Sequence, residues 1–176
     1  MDVAADNKTA KKSSALKKWV LFFLVLFTLS MLIFRFVLIP GNVPSASMEP
    51  TLMTGDIIFV NGLAYDTHDP QRGDIIAFHS QELGCVLIKR IIGMPGDKVS
   101  FEGNSVNING EPLNESYLTD NVGTKCGETF TVPADSYFVL GDNRENSLDS
   151  RFWKDPFVSR KSIMGRYFGR MNFLTL

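Results

Sequence analysis

Two hydroxyls and one amine in this sequence are of the types that can build a nucleophile. Ser45 and Ser47 stand two positions apart in the proline-bounded stretch VPSASMEPTL, and Lys89 interrupts the apolar run CVLIKRII. A serine hydroxyl attacks a carbonyl only when a neighbouring base takes its proton. Histidine is the usual base, but His68 lies in the polar, turn-like stretch YDTHDPQRG and His79 follows a short apolar run with no evident acid to orient it. Lys89 is the better candidate. Alternation along a strand sets Lys89 on the face of Leu87 and Ile91 and Arg90 on that of Ile88 and Ile92, so at least one cation must lie against apolar neighbours. Desolvation lowers a lysine pKa and can make the amine a neutral base, whereas arginine stays protonated. Each residue alone also has a plainer reading, Ser47 as part of a polar linker and Lys89 as an edge-strand charge reaching water.

A third stretch, GDNRENSLDSRFW from Gly141 to Trp153, leaves an apolar run and crowds charged side chains and two serines together. Asp149 and Arg151 can pair and brace a site, and Ser147 can orient a lysine amine by hydrogen bonding. A solvated surface loop would have the same composition.

The elements that would position these residues follow from the distribution of charge and apolar runs. Residues 1–18 carry five lysines against two aspartates, whereas residues 36–176 carry 12 basic and 17 acidic side chains. Between them Trp19 to Ile39 is apolar apart from Thr28, Ser30 and Arg35, and at ~1.5 Å per residue it spans about 30 Å, the hydrocarbon thickness of a bilayer. It reads as one transmembrane helix with the lysines on the cytoplasmic side, and Arg35, near its outer end, can snorkel. A cleaved secretory signal peptide is the other reading of a basic start, an apolar run and small residues, but its apolar core runs to only ~15 residues. The chain thus divides into a cytoplasmic segment 1–18, an anchor 19–39 and an exported part 40–176. An extended chain covers ~3.3 Å per residue, so Ser47 stands within about 25 Å of the membrane surface.

In the exported part eight short runs are β-branched and aromatic and too short for amphipathic helices: 56–60, 74–78, 85–92, 98–101, 105–108, 129–132, 137–140 and 163–168. Turn pairs such as Pro95-Gly96, Gly103-Asn104 and Asn109-Gly110 separate them. The expected fold is mostly β, one N-terminal transmembrane helix followed by an antiparallel sheet domain. Cys85 and Cys126 both fall in this part, where oxidation is permitted; paired, they close a loop of about 40 residues worth roughly 4 kcal/mol, and unpaired they are two thiols. No C-x-x-C or histidine pair has zinc-ligand spacing, DNRENSLD lacks the glycine of a calcium loop, and no phosphate-cradling loop or basic aromatic patch speaks for nucleotide or nucleic acid.

Four stretches in order, PSASMEPTL (44–52), GDIIFV (55–60), KRIIGMPGDKV (89–99) and GDNRENSLDSRFW (141–153), resemble the type I signal peptidases, membrane-anchored serine proteases that remove signal peptides from exported proteins. The resemblance runs from the anchor to about Trp153. It implies Ser47 as nucleophile and Lys89 as general base, with the Ser45 hydroxyl and the Ser47 backbone N–H as the oxyanion hole. It further implies Ser147 hydrogen-bonded to the lysine, Asp149 and Arg151 as the supporting ion pair, and no metal or cofactor. Substrates would be exported preproteins bound extended, with small side chains before the cut; Val43 and Ile88, beside the matched positions, are candidates for the pocket walls. The resemblance places the catalytic part on the outer face of a bacterial cytoplasmic membrane, in contact with lipid and open to association with secretion machinery. A Ser/Lys protease dedicated to a pilin or conjugation precursor, or a silent relative that only binds signal peptides, would carry similar motifs. Ala46 stands where the family commonly has glycine, there is one anchor where some members have two, and the region between Lys98 and Val132 is compact.

Overall fold

The structure, a computed structural model, describes residues 3–118, 123–124 and 126–171; the side chains of Lys8, Lys11, Lys12 and Arg35 lie outside the described residues. The chain divides into two compact units, Met1–Leu38 and Ile39–Leu176.

The first unit is helix α1, Val3–Phe36. Its stretch Leu16–Ile33 is long and apolar enough to cross a membrane, and its large apolar side chains are exposed throughout. The helix ends earlier than the apolar run does. Leu38 and Ile39, expected inside the anchor, instead open strand β1, Leu38–Asn42, where Pro40 and Gly41 cannot continue a helix.

The second unit is built from β1, β2 (Ile57–Asn61), β3 (Ile75–Ser80), β4 (Cys85–Gly93), β5 (Lys98–Glu102), β6 (Ser105–Ile108), β7 (Glu111–Pro112), β8 (Phe130–Thr131), β9 (Ser136–Leu140), β10 (Val158–Ser159) and β11 (Ile163–Met171). A seven-stranded sheet has the order β1-β2-β11-β3-β4-β9-β10, and a four-stranded sheet the order β7-β6-β5-β8. The registers run antiparallel from β2 to β10 and throughout the small sheet. All eight expected runs form strands; β1, β7 and β10 are additional, each short or interrupted by proline. Asn109 and Gly110, both at positive φ (55° and 89°), make the two-residue turn from β6 to β7.

Three apolar clusters hold this unit together. One packs Ile76, Phe78, Ile91, Val139 and Trp153, a second packs Val43, Met48, Leu52, Ile58 and Ile75, and the third fills the space against the small sheet with Ile92, Val99, Val106, Phe138 and Leu140. Strand β4 contributes to all three, because Ile88 packs on the second while Ile91 and Ile92 belong to the first and third. It lies between β3 and β9 and is not an edge, and the two cations in its middle, Lys89 and Arg90, are both buried.

Candidate active site

The loop carrying Ser47 is fastened at both ends before its chemistry is considered. Val43 N–H donates to the Asp56 carbonyl at 3.0 Å and Gly55 N–H to the Val43 carbonyl at 2.8 Å, which closes the chain from β1 to β2 into a tight arch. Within it Ala46–Met48 form one turn of 3₁₀ helix, and Met48 and Leu52, fully buried, drive it into the second cluster. Small residues on one side and apolar ones on the other leave Ser47 turned toward β4 and only 8% exposed.

Opposite it, β4 presents Lys89, 3% exposed, with Nζ 2.6 Å from Ser47 Oγ. Burial of the ammonium is the largest influence on its pKa and brings it down from 10.5 to about 8, against the upward pull of Asp149 and Asp142 and with a further downward push from Arg151. A fraction of the amine is therefore neutral near physiological pH and able to accept a proton. The Ser45 hydroxyl lies 3.4 Å from Ser47 Oγ, on the same face of the turn.

A second loop, following β9, locks the first in place. Asn143 N–H donates to the Ser47 carbonyl at 3.1 Å, and its side-chain amide donates to the Ala46 carbonyl at 3.1 Å. Asp142, fully buried, accepts the Thr51 hydroxyl at 2.6 Å and binds Arg90 through both oxygens, at 2.8 and 2.6 Å. The two cations of β4 thus have separate fates: Lys89 faces the serine, and Arg90 ties the strand to both loops. Asp149 pairs with Arg151 at 2.8 Å, accepts from Gly141 N–H at 3.0 Å and is fully buried; Arg151 in turn donates to the Arg144 carbonyl at 2.7 Å. Gly141 leaves no room for a side chain, since a Cβ there would strike both the Ser147 hydroxyl and the Ser47 carbonyl.

Ser147 differs from the expectation. Its Oγ is buried without a hydrogen-bond partner and makes no bond to Lys89, because it packs onto Gly141 while the lysine amine is directed at Ser47. Cys85 and Cys126 are free: Cys85 is exposed at the start of β4 in the large sheet, and Cys126 lies in the segment leading to β8 of the small one. His68 and His79 are exposed and line neither cleft at the serine.

Val43 and Ile88 are brought together with Ser47 and Lys89 in a cleft of about 330 Å³, with Ile39 and Ala77 among its other walls. Two backbone stretches, 39–45 and 86–89, border it, which suits an extended peptide laid between them. A second depression of about 520 Å³ opens on another flank of the same two residues, walled by Leu83, Leu148 and Glu145. Asp142, Asn143, Thr51 and Arg90 were not among the site residues expected from sequence. Only the density of short polar side chains after the YFVL strand marks two of them in advance.

The family model described as signal peptidase, peptidase S26, matches residues 16–172. A signal peptidase I of Leptolyngbya laminosa is 46% identical over 132 residues, covering 70% of this chain and 64% of that protein. A probable signal peptidase I-2 of Synechocystis is 41% identical over 134 residues, and the chain spans 60% of its length. Signal peptidase I P of Bacillus subtilis subsp. natto is 34% identical over 168 residues, 90% of each chain. The crystal structure of a signal peptidase I from Enterococcus faecalis shares 38% identity over 56% of this chain and 96% of its own, with a TM-score of 0.49.

Proposed function

The chain belongs to the S26 family of signal peptidases, and from that premise we propose that it is a membrane-bound serine endopeptidase that removes signal peptides from exported preproteins with a Ser47/Lys89 pair. The observation that carries the reading is the 2.6 Å approach of a buried, desolvated lysine amine to a serine oxygen on the floor of a peptide-sized cleft.

In this reading the neutral Lys89 amine accepts the Ser47 proton as Oγ bonds to the scissile carbonyl carbon. Charge develops on the carbonyl oxygen, and the Ser45 hydroxyl and Ser47 N–H are the donors assigned to it. When the C–N bond breaks, Lys89 returns the proton to the departing amine and leaves an ester on Ser47. Water then attacks the ester, Lys89 takes the water proton, and the ester C–O bond breaks with that proton going back to Ser47. Arg90, Asp142 and Asn143 hold the serine loop through this cycle, and the Asp149–Arg151 pair holds the second loop. Val43 and Ile88 limit the side chains admitted before the cut.

Helix α1 serves as the anchor, with the lysine-rich segment 1–18 in the cytoplasm and the unit from Ile39 onward outside. A substrate held in the same bilayer then meets Ser47 near its surface. The test is cleavage of a standard preprotein by detergent-solubilised protein. Wild type cuts after the small-residue site, and Ser47→Ala and Lys89→Ala, shown to be folded, do not; cleavage by either variant at the wild-type rate overturns the assignment.

A further inference from the structure

The depression walled by Leu83, Leu148 and Glu145 lacks Val43 and Ile88, the proposed walls for the side chains before the cut, yet it shares Ser45, Ser47, Leu87 and Lys89 with the cleft that they line. In an acyl transfer the peptide is divided at the serine: the acyl half stays bonded to Oγ, and the amine half leaves past the group that protonates it. The first cleft, bordered by extended backbone and apolar side chains, suits the acyl half. The second reaches Lys89 from beside the 145–148 turn, where the departing half must run.

Its lining is different in kind. Leu83, at the tip of the β3–β4 hairpin, is 41% exposed, and Leu148 is 53% exposed, so two apolar walls stand open to solvent in the free protein. Among the lining residues Glu145 and Lys89 are the ionisable ones, and Lys89 is buried while Glu145 is exposed at the rim. Among the described residues, the two arginines near it in sequence are paired elsewhere: the Arg144 guanidinium with Glu115 and that of Arg151 with Asp149.

We propose that this depression binds the first residues of the released mature chain and that Glu145 selects among them by charge, favouring a basic and disfavouring an acidic side chain at the first or second position after the cut. This rests on the proposed peptidase activity. A carboxylate at a solvated rim acts weakly and over a distance set by screening, so the preference is modest and strongest at low salt.

The experiment uses the full chain in detergent and one preprotein whose first and second mature positions carry Lys, Ala or Asp in turn, and compares relative kcat/KM for wild type, Glu145→Gln and Glu145→Lys. Wild type is expected to favour Lys over Asp by about threefold at one of the two positions. Glu145→Gln removes the preference, Glu145→Lys inverts it, and 0.5 M salt flattens all three. Ratios that are the same in the three proteins overturn the role of Glu145. A wild type that cuts none of the substrates overturns the peptidase reading itself, and the inference with it.

Discussion

At the scale of single residues, the central fact is a lysine kept in the interior of a sheet where its charged form is poorly solvated. In the proposed mechanism catalysis needs the neutral amine, so kcat/KM for a preprotein should rise from pH 6 to pH 9 with a midpoint near 8, the value to which burial brings Lys89. A flat or falling profile removes lysine as the base. The same depression of pKa has a consequence for stability, with a definite sign. The folded value of about 8 lies below the ~10.5 of an unfolded lysine. Below pH 8 both states bind the proton, and the folded state bears the whole desolvation cost. Between about pH 8 and 10.5 the unfolded state binds more protons, so stability rises with pH. Lys89→Met, which keeps the stem and discards the amine, should therefore raise the melting temperature by a few degrees at pH 7, with the gain shrinking toward pH 10, while abolishing cleavage. Thermal unfolding of both proteins at the two pH values checks this, and a lower melting temperature for the variant at pH 7 contradicts it.

At the scale of elements, the site is two loops laid on one strand, and the second loop is kept rigid by a buried charge whose partner comes from far along the chain. Arg144 has no exposed side-chain surface; its Nε donates to the Gly141 carbonyl at 2.9 Å, and its other nitrogens reach Glu115, between β7 and β8. Removing one member of a buried pair leaves an uncompensated charge, whereas replacing both with apolar groups is far milder. Glu115→Ala is thus expected to cost about 3 kcal/mol of stability. Glu115→Ala combined with Arg144→Met should cost clearly less than Glu115→Ala alone, as read from denaturant unfolding; equal costs would show that Glu115 does not act through the arginine. The same architecture explains what sequence could and could not disclose. Every β-branched run became a strand because period-two patterning and turn pairs such as Asn109-Gly110 are local signals. The pairing of Arg90 with Asp142, 52 positions apart, is not local. Nor is that of Arg144 with Glu115, 29 positions apart. Both depend on sheet order, which no short window contains. Ser45, Ser47, Lys89, Asp149 and Arg151 were singled out through motifs that resemble a family, and the structure sets Ser45 and Lys89 beside Ser47 and Asp149 beside Arg151. The orientation of Ser147 was not legible, since it turns on the lack of a side chain at Gly141, and β1 was hidden by an apolar run that reads past the end of its helix.

At the scale of the whole molecule, the chain divides into an apolar helix and a β unit. Among the described residues, the core residues of the three clusters all lie at Ile39 or beyond. A chain beginning at residue 36 should therefore unfold cooperatively with the same melting temperature as the detergent-solubilised full chain. It should also cut a short soluble peptide with the same pH midpoint and a kcat/KM within about twofold. What it should lose is proximity. An enzyme and a substrate held in one bilayer meet at an effective concentration that no free protein reaches, and such confinement commonly contributes factors of ~10² to 10⁴. Cleavage of a preprotein inserted in vesicles should accordingly fall by about a hundredfold or more while peptide cleavage survives. Running both substrates side by side separates the roles. Equal losses on peptide and vesicle substrate would mean that α1 shapes the site itself. No loss on either would mean that anchoring plays no part in how this chain finds its substrate, and the apolar length of Leu16–Ile33 would need another explanation.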